Sequence, residues 1–116
     1  MRKERVNPNL YIIAGPNGAG KTTFAKEFLP KYARCKNFVN ADLIAQGLAP
    51  FNWQSAKIKA GRILLLQIHE FAQQRGDFAF ETTLSGKTYL SFFKKLKKEG
   101  YSIHFFFFGF PTSKLL

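Results

Sequence analysis

Only one cysteine, Cys35, occurs in the chain, so no internal disulfide can form and no second thiol is available for a zinc pair. That scarcity fits a reducing cytoplasm, and nothing in the sequence gives Cys35 a role. Long apolar runs are also missing. The runs 63–68 and 105–110 fall well short of the roughly 18 residues that a membrane-spanning helix needs, so no membrane location is expected. The basic N-terminus is followed by an apolar run, 10–14, that is too short for a signal peptide's hydrophobic region. Acidic side chains are scarce as well, 7 against 18 Lys and Arg. The formal net charge of +11 favours anionic partners such as nucleotides, nucleic acid or acidic lipid surfaces, and does not choose among them. The two histidines, His69 and His104, lack metal-ligand spacing and read as structural.

What is present describes a folded protein. Hydrophobic residues make up 46% of 116 residues, enough to build a single core, so residues 1–116 are read as one domain. Fourteen phenylalanines raise the aromatic share to 16%, which excludes a disordered chain. Lys94, Lys95, Lys97 and Lys98 interrupt the apolar positions Tyr89, Phe93 and Leu96, a spacing that reads as the solvated outer face of an amphipathic helix before it reads as a binding patch.

Strand and helix signals alternate, which predicts an α/β fold with a parallel sheet of about four strands flanked by helices. Residues 10–14 form the first strand candidate. A helix opens over 23–29 and should stop before Pro30, because proline lacks a backbone donor. A short strand ends near Val39. Asn40 or Asp42 can cap a helix through Gln46, with Gly47 as its end and Pro50 beyond. The longest helix spans 55–75, with Ile58, Leu64, Leu65, Ile68, Phe71 and Ala72 at helical spacing and Gly76 as its C-terminal cap. The stretch 78–80 leads into Glu81, Thr82 and Thr83, another helix spans 87–99, and 103–108 reads as a fully buried strand.

Between the first strand and the first helix lies GPNGAGKT, in which Gly15, Gly20, Lys21 and Thr22 satisfy G-x-x-x-x-G-K-[ST]. The glycines let the backbone curl so that its N–H groups face phosphate oxygens, and the helix N-terminus that follows adds partial positive charge. The expected phosphate-binding set is Gly15, Pro16, Asn17, Gly18, Ala19, Gly20, Lys21, Thr22 and Thr23. Lys21 would reach the β and γ phosphates of ATP, and the Thr22 hydroxyl would take a position on Mg²⁺. A chance match in a chain of this length has a probability on the order of a few in a thousand.

Together with this loop, FVNADLIAQGLAP and DFAFETTLSGKTY make the chain resemble the zeta toxin family of P-loop kinases from Leu10 to about Pro111. The resemblance implies a P-loop NTPase-like, kinase-like fold and ATP-dependent phosphorylation of a sugar hydroxyl on UDP-N-acetylglucosamine. It places Asp42 at the catalytic aspartate that accepts the acceptor's proton, beside catalytic Lys21, and it places Glu81 and Thr83 on the substrate. Chemistry independently calls for a carboxylate beyond a strand end, where open α/β sheets bind ligands. Asp42 can also cap the helix that follows it, alongside that role, and Glu81 with its threonines can cap the next one. An antitoxin partner is implied by the same route. Family members continue past the position of Pro111 into a helix and a lid whose arginines clamp the phosphates, so a chain lacking that lid region is expected to transfer poorly even where it binds ATP.

Two rival readings remain. An ABC-type ATPase shares GPNGAGKTT, and Leu84, Ser85 and Gly86 echo the start of its signature, but Lys87 and Thr88 break the echo and the run 103–110 lacks the Asp that ends a Walker B strand. A nucleic-acid binder or polynucleotide kinase is suggested by the charge. The expectation carried forward is an ATP- and Mg²⁺-dependent kinase-like domain, with an ATP-binding fragment that has no catalysis as its alternative.

Overall fold

The computed structural model describes residues 7–16, 20–83 and 88–109. Among these, strands β1 (Asn9–Ala14), β2 (Phe38–Asn40), β3 (Phe78–Thr82) and β4 (Ser102–Phe107) alternate with helices α1 (Lys21–Phe28), α2 (Ala41–Leu48), α3 (Lys57–Gln73) and α4 (Thr88–Lys98). The sheet is parallel throughout, in the order β2-β3-β1-β4. Parallel neighbours cannot be joined by a tight turn, so the chain crosses over through a helix each time, and this puts helices on both faces. The expected α/β architecture of four strands flanked by helices is what the chain adopts.

Because successive side chains of a strand point to opposite faces, β1 and β3 divide their residues between two cores. Leu10, Ile12, Phe78 and Phe80 pack under Leu64 and Ile68 of α3 and Phe92 and Leu96 of α4. Tyr11, Ile13 and Ala79 meet Ala25 of α1 and Leu29 on the other face. A strand covered on both sides needs apolar residues at every position, which is why β1 reads as a continuous apolar run.

Several local expectations shift. Helix α1 ends at Phe28, but the chain does not stop there. Residues 29–33 continue as one π-type turn with Pro30 near its start, where its missing N–H is not needed, closed by Cys35 N–H on the Leu29 carbonyl at 2.8 Å. Asn40, not Asp42, caps α2, its Oδ1 accepting from Leu43 N–H at 3.1 Å, and the helix runs through Gly47 to Leu48. On α3 the fully buried stripe is Ala60, Leu64 and Ile68, while Ile58 lies on the exposed side. Strand β4 is not fully buried. Among the described residues it borders only β1, and Phe106 and Phe108 pack on Phe24 of α1 while Phe105 and Phe107 remain 49% and 48% exposed. A phenylalanine run reports apolarity and cannot report that its strand is an edge.

The histidines take structural partners: His104 stacks on Tyr11 and hydrogen-bonds Asn9 at 3.0 Å, and His69 meets Phe92 edge-on. The Cys35 thiol is buried, which pushes its pKa up and keeps it protonated. Lys94, Lys95, Lys97 and Lys98 are all exposed, as a solvated face requires.

Candidate functional site

The C-terminal ends of β1, β2 and β3 bring three chain segments together. After Ala14 the chain leaves β1 through Gly15, whose N–H donates to the Thr82 carbonyl at 3.2 Å and whose φ is +144°. A Cβ there would collide with the Phe108 carbonyl, so only glycine fits between β3 and the end of β4. Pro16 follows on the surface. Asn17, Gly18 and Ala19, the tip of the loop, lie outside the described residues. Gly20 returns the chain in the left-handed region, with φ +86°, and its carbonyl accepts from Phe24 N–H at 3.0 Å as α1 begins.

Lys21, in the first turn of α1, is only 4% exposed. Burying an ammonium without partners is costly, and here Nζ donates to the Gly15 carbonyl and to the Thr82 carbonyl at 3.5 Å, with the Glu81 carboxylate 3.8 Å away. Next to it the Thr22 hydroxyl donates to Glu81 Oε1 at 2.9 Å. The Asn40 side chain, 6% exposed, donates through Nδ2 to the same Oε1 at 2.8 Å and lies 3.4 Å from Thr22 Oγ1. Glu81 therefore ties the start of α1, the end of β2 and the end of β3 into one polar cluster. Thr23 is exposed beside it.

Two hollows adjoin this cluster. One, of about 330 Å³, lies on the loop side and includes Gly20, Thr22 and Thr23 in its wall. The other, of about 310 Å³, lies on the α3 and α4 side and includes Lys57, Thr83 and Tyr89. Lys21, Asp42 and Glu81 border both. Every described residue named from the sequence except Gly15 and Pro16 thus lines one of these hollows, and Gly15 holds Lys21. The Tyr89 hydroxyl is held protonated above its usual range by burial, a shift opposed by its hydrogen bond with Thr82.

Sequence reasoning saw Asn40 only as a cap and Tyr89 only as an apolar helix position, and it did not single out Lys57. Asn40 and Glu81 meet because β2 and β3 pair in register, Asn40 opposite Glu81, and no local spacing carries that information. The serine-glycine segment 84–87, used above to weigh the ABC-type reading, lies outside the described residues.

No family model matches the chain. An uncharacterized protein of Haemophilus influenzae is 32% identical over 98 residues, covering 84% of this chain and 68% of that protein. Among solved structures, a Chloroflexus aurantiacus protein provisionally assigned as a kinase matches with a TM-score of 0.67 at 15% identity, covering 87% of this chain and 59% of that one. The Pnkp1/Rnl/Hen1 complex contains a chain that matches with a TM-score of 0.61 at 22% identity, covering 99% of this chain and 40% of that one. A further structure of this RNA repair complex gives the same TM-score over 97% and 36% of the two chains. These likenesses show a kinase-like fold, and this chain spans little more than half, or less, of the solved chains it matches.

Proposed function

This chain belongs to one family with the Haemophilus influenzae protein, and we propose that it is a phosphotransferase that binds ATP with Mg²⁺ and transfers the γ-phosphoryl group to a hydroxyl acceptor. One observation carries the reading: the loop-side hollow and the α3-side hollow share Lys21, Asp42 and Glu81, so a donor phosphate and an acceptor hydroxyl can meet over the same three charges. Gly15, Pro16, Asn17, Gly18, Ala19, Gly20, Lys21, Thr22 and Thr23 form the proposed phosphate-binding set, and Glu81 and Thr83 the proposed acceptor contacts.

The Thr22 hydroxyl and the Glu81 carboxylate place two hard oxygen donors within 2.9 Å of each other. That donor set suits Mg²⁺, which keeps several waters and is held by one or two protein oxygens plus substrate phosphates. Among the described residues no group of three or more His, Cys, Asp or Glu forms an all-protein cage, in keeping with that mode. When bound, Mg²⁺ supplies charge neutralisation at the β and γ phosphates.

The chain's own residues do the rest. Lys21 exchanges its contact with the Gly15 carbonyl for phosphate oxygens, and Asp42 orients the acceptor hydroxyl and accepts its proton. The acceptor oxygen forms a bond to the γ-phosphorus as the bond to the bridging oxygen breaks, leaving ADP and a phosphorylated acceptor. The acceptor we propose is a nucleotide-sugar hydroxyl, as the resemblance to zeta toxins implies, with an antitoxin as the protein partner and the cytoplasm as location. Among the described residues no helix is long and apolar enough to cross a membrane.

A polynucleotide acceptor is the second reading, favoured by the net charge of +11 and by the likeness to a chain of the RNA repair complex. The lysine cluster argues against it. α4 starts beside the site and ends at Lys98, shortly before Ser102 enters β4 opposite Asn9, so Lys97 and Lys98 sit at the opposite end of the sheet.

The test is ATP binding and γ-phosphoryl transfer by the wild type, Lys21→Ala and Asp42→Asn. Removing a charged hydrogen-bond donor worth about 1.5–3 kcal/mol should weaken ATP binding by Lys21→Ala roughly 10-fold to 150-fold. Asp42→Asn should bind as the wild type does and transfer nothing. Equal affinity in wild type and Lys21→Ala would overturn the loop assignment. Transfer to an RNA 5′ end in place of UDP-N-acetylglucosamine would favour the second reading.

A further inference from the structure

Asn40 shares with Glu81 the task of joining the three segments of the polar cluster, and it also caps α2. Its Oδ1 accepts from Leu43 N–H at 3.1 Å, which fixes the first turn of α2 and with it Asp42. Its Nδ2 donates to Glu81 Oε1 at 2.8 Å and reaches Thr22 Oγ1 at 3.4 Å. At 6% exposure it cannot exchange these partners for water without opening the site. A cap needs only the acceptor oxygen, and serine, threonine or aspartate would serve as well. The amide donor is the part that capping does not explain.

We propose that Asn40 is a positioning residue that holds the Glu81 carboxylate against the Thr22 hydroxyl and so sets how strongly the site takes up a divalent cation with its nucleotide. The inference rests on the phosphotransferase reading and deepens it. Glu81 has two oxygens. Asn40 and Thr22 share Oε1, while Oε2 faces the Lys21 ammonium at 3.8 Å. Without the amide, nothing described on the β2 side restrains Oε1, and the carboxylate is free to swing toward the lysine, the nearest positive charge. The pair of oxygens suited to the cation would then come apart. Because the same amide group caps α2, a shift of Glu81 on cation binding is also felt at the first turn that carries Asp42, which links the donor side of the site to the acceptor side.

The test separates the donor from the cap. Asn40→Ser keeps a capping oxygen and loses the amide donor, and Asn40→Ala loses both. Binding of a fluorescent ATP analogue is titrated with Mg²⁺ and, separately, in EDTA, and thermal stability is followed alongside. Outer partners of metal-binding groups change metal affinity by about 10-fold to 100-fold when removed, so Asn40→Ser should raise the Mg²⁺ concentration at half-saturation by that factor. Its melting temperature and its nucleotide affinity in EDTA should stay near those of the wild type, whereas Asn40→Ala should also melt lower. In a Glu81→Gln background, Asn40→Ser should have no further effect on Mg²⁺ dependence, because the carboxylate it positions is gone.

An unchanged Mg²⁺ half-saturation in Asn40→Ser, with the wild type binding nucleotide in a Mg²⁺-dependent way, would overturn the positioning role and leave the phosphotransferase reading intact. Equal effects of Asn40→Ser in the wild-type and Glu81→Gln backgrounds would show that Asn40 acts other than through Glu81. A wild type that binds no nucleotide would remove the functional proposal and this one with it.

Discussion

At Gly15 the backbone turns out of β1 with φ +144° while the Phe108 carbonyl closes on the space a side chain would fill. Two penalties would therefore fall on Gly15→Ala together, a left-handed backbone strained for any residue with a Cβ and a collision with the main chain just past β4. The loss of stability should be about 2–4 kcal/mol, read as an earlier urea midpoint, with weakened binding of an ATP analogue because the carbonyl that receives Lys21 moves as well. Gly20→Ala meets open space and should suffer only the backbone penalty. The sequence marked both glycines as loop formers, and it marked Lys21, Thr22, Asp42, Glu81 and Thr83 as site residues. It could not say that Gly15 is required by β4, or that Glu81 reaches back to Thr22, 59 residues away in the chain, because both depend on which strands become neighbours.

Strand β4 shows the same division at the level of elements. Among the described residues, hydrophobic periodicity and turn residues located the four strands and four α-helices to within a few residues, since local pattern and capping chemistry are written in the neighbouring residues, but they missed the π-type turn at 29–33. Position within the sheet is not written there. The run 105–108 has the composition of a central strand, yet its phenylalanines split between a face packed on α1 and a face half open to solvent. Likewise Ile58 fits the helical period of α3 but falls outside the stripe that the sheet covers. An exposed apolar edge invites pairing with other chains. Phe105→Thr and Phe107→Thr should therefore reduce concentration-dependent aggregation in light scattering and shift the unfolding midpoint little. Leu64→Ala, on the buried stripe of α3, should cost about 2–5 kcal/mol.

Taken whole, the molecule carries several buried acids with no need to ionise. Burial raises the pKa of Tyr11, Tyr89, Tyr101 and Cys35, and the Tyr101 hydroxyl donates to the Gly76 carbonyl at 2.7 Å. A raised pKa means that the folded chain holds these protons more tightly than the unfolded one. Their contribution is intact below the unfolded values of 9.0 for the thiol and 10.0 for the phenols, and is lost as pH rises through the folded values. Urea midpoints should accordingly be flat near neutral pH and fall as the pH rises above the unfolded values of 9.0 and 10.0, with a shallower fall in Tyr101→Phe. A midpoint that does not decline in the alkaline range would show that the hydroxyls are not held in the protonated form.

The strand order has a consequence for how the protein is made. β1 leaves the ribosome before both of its neighbours, because it lies between β3 and β4 and gains the second only when residues 102–107 have been translated. The Phe108 carbonyl that walls in Gly15 arrives later still. Such distant parallel pairing is slow to form, so Gly15, translated early, is without the wall that fixes it until residue 108 has been added. If the site takes nucleotide as proposed, ATP cannot stabilise a chain interrupted before residue 108, and its binding becomes a readout of translation through that residue.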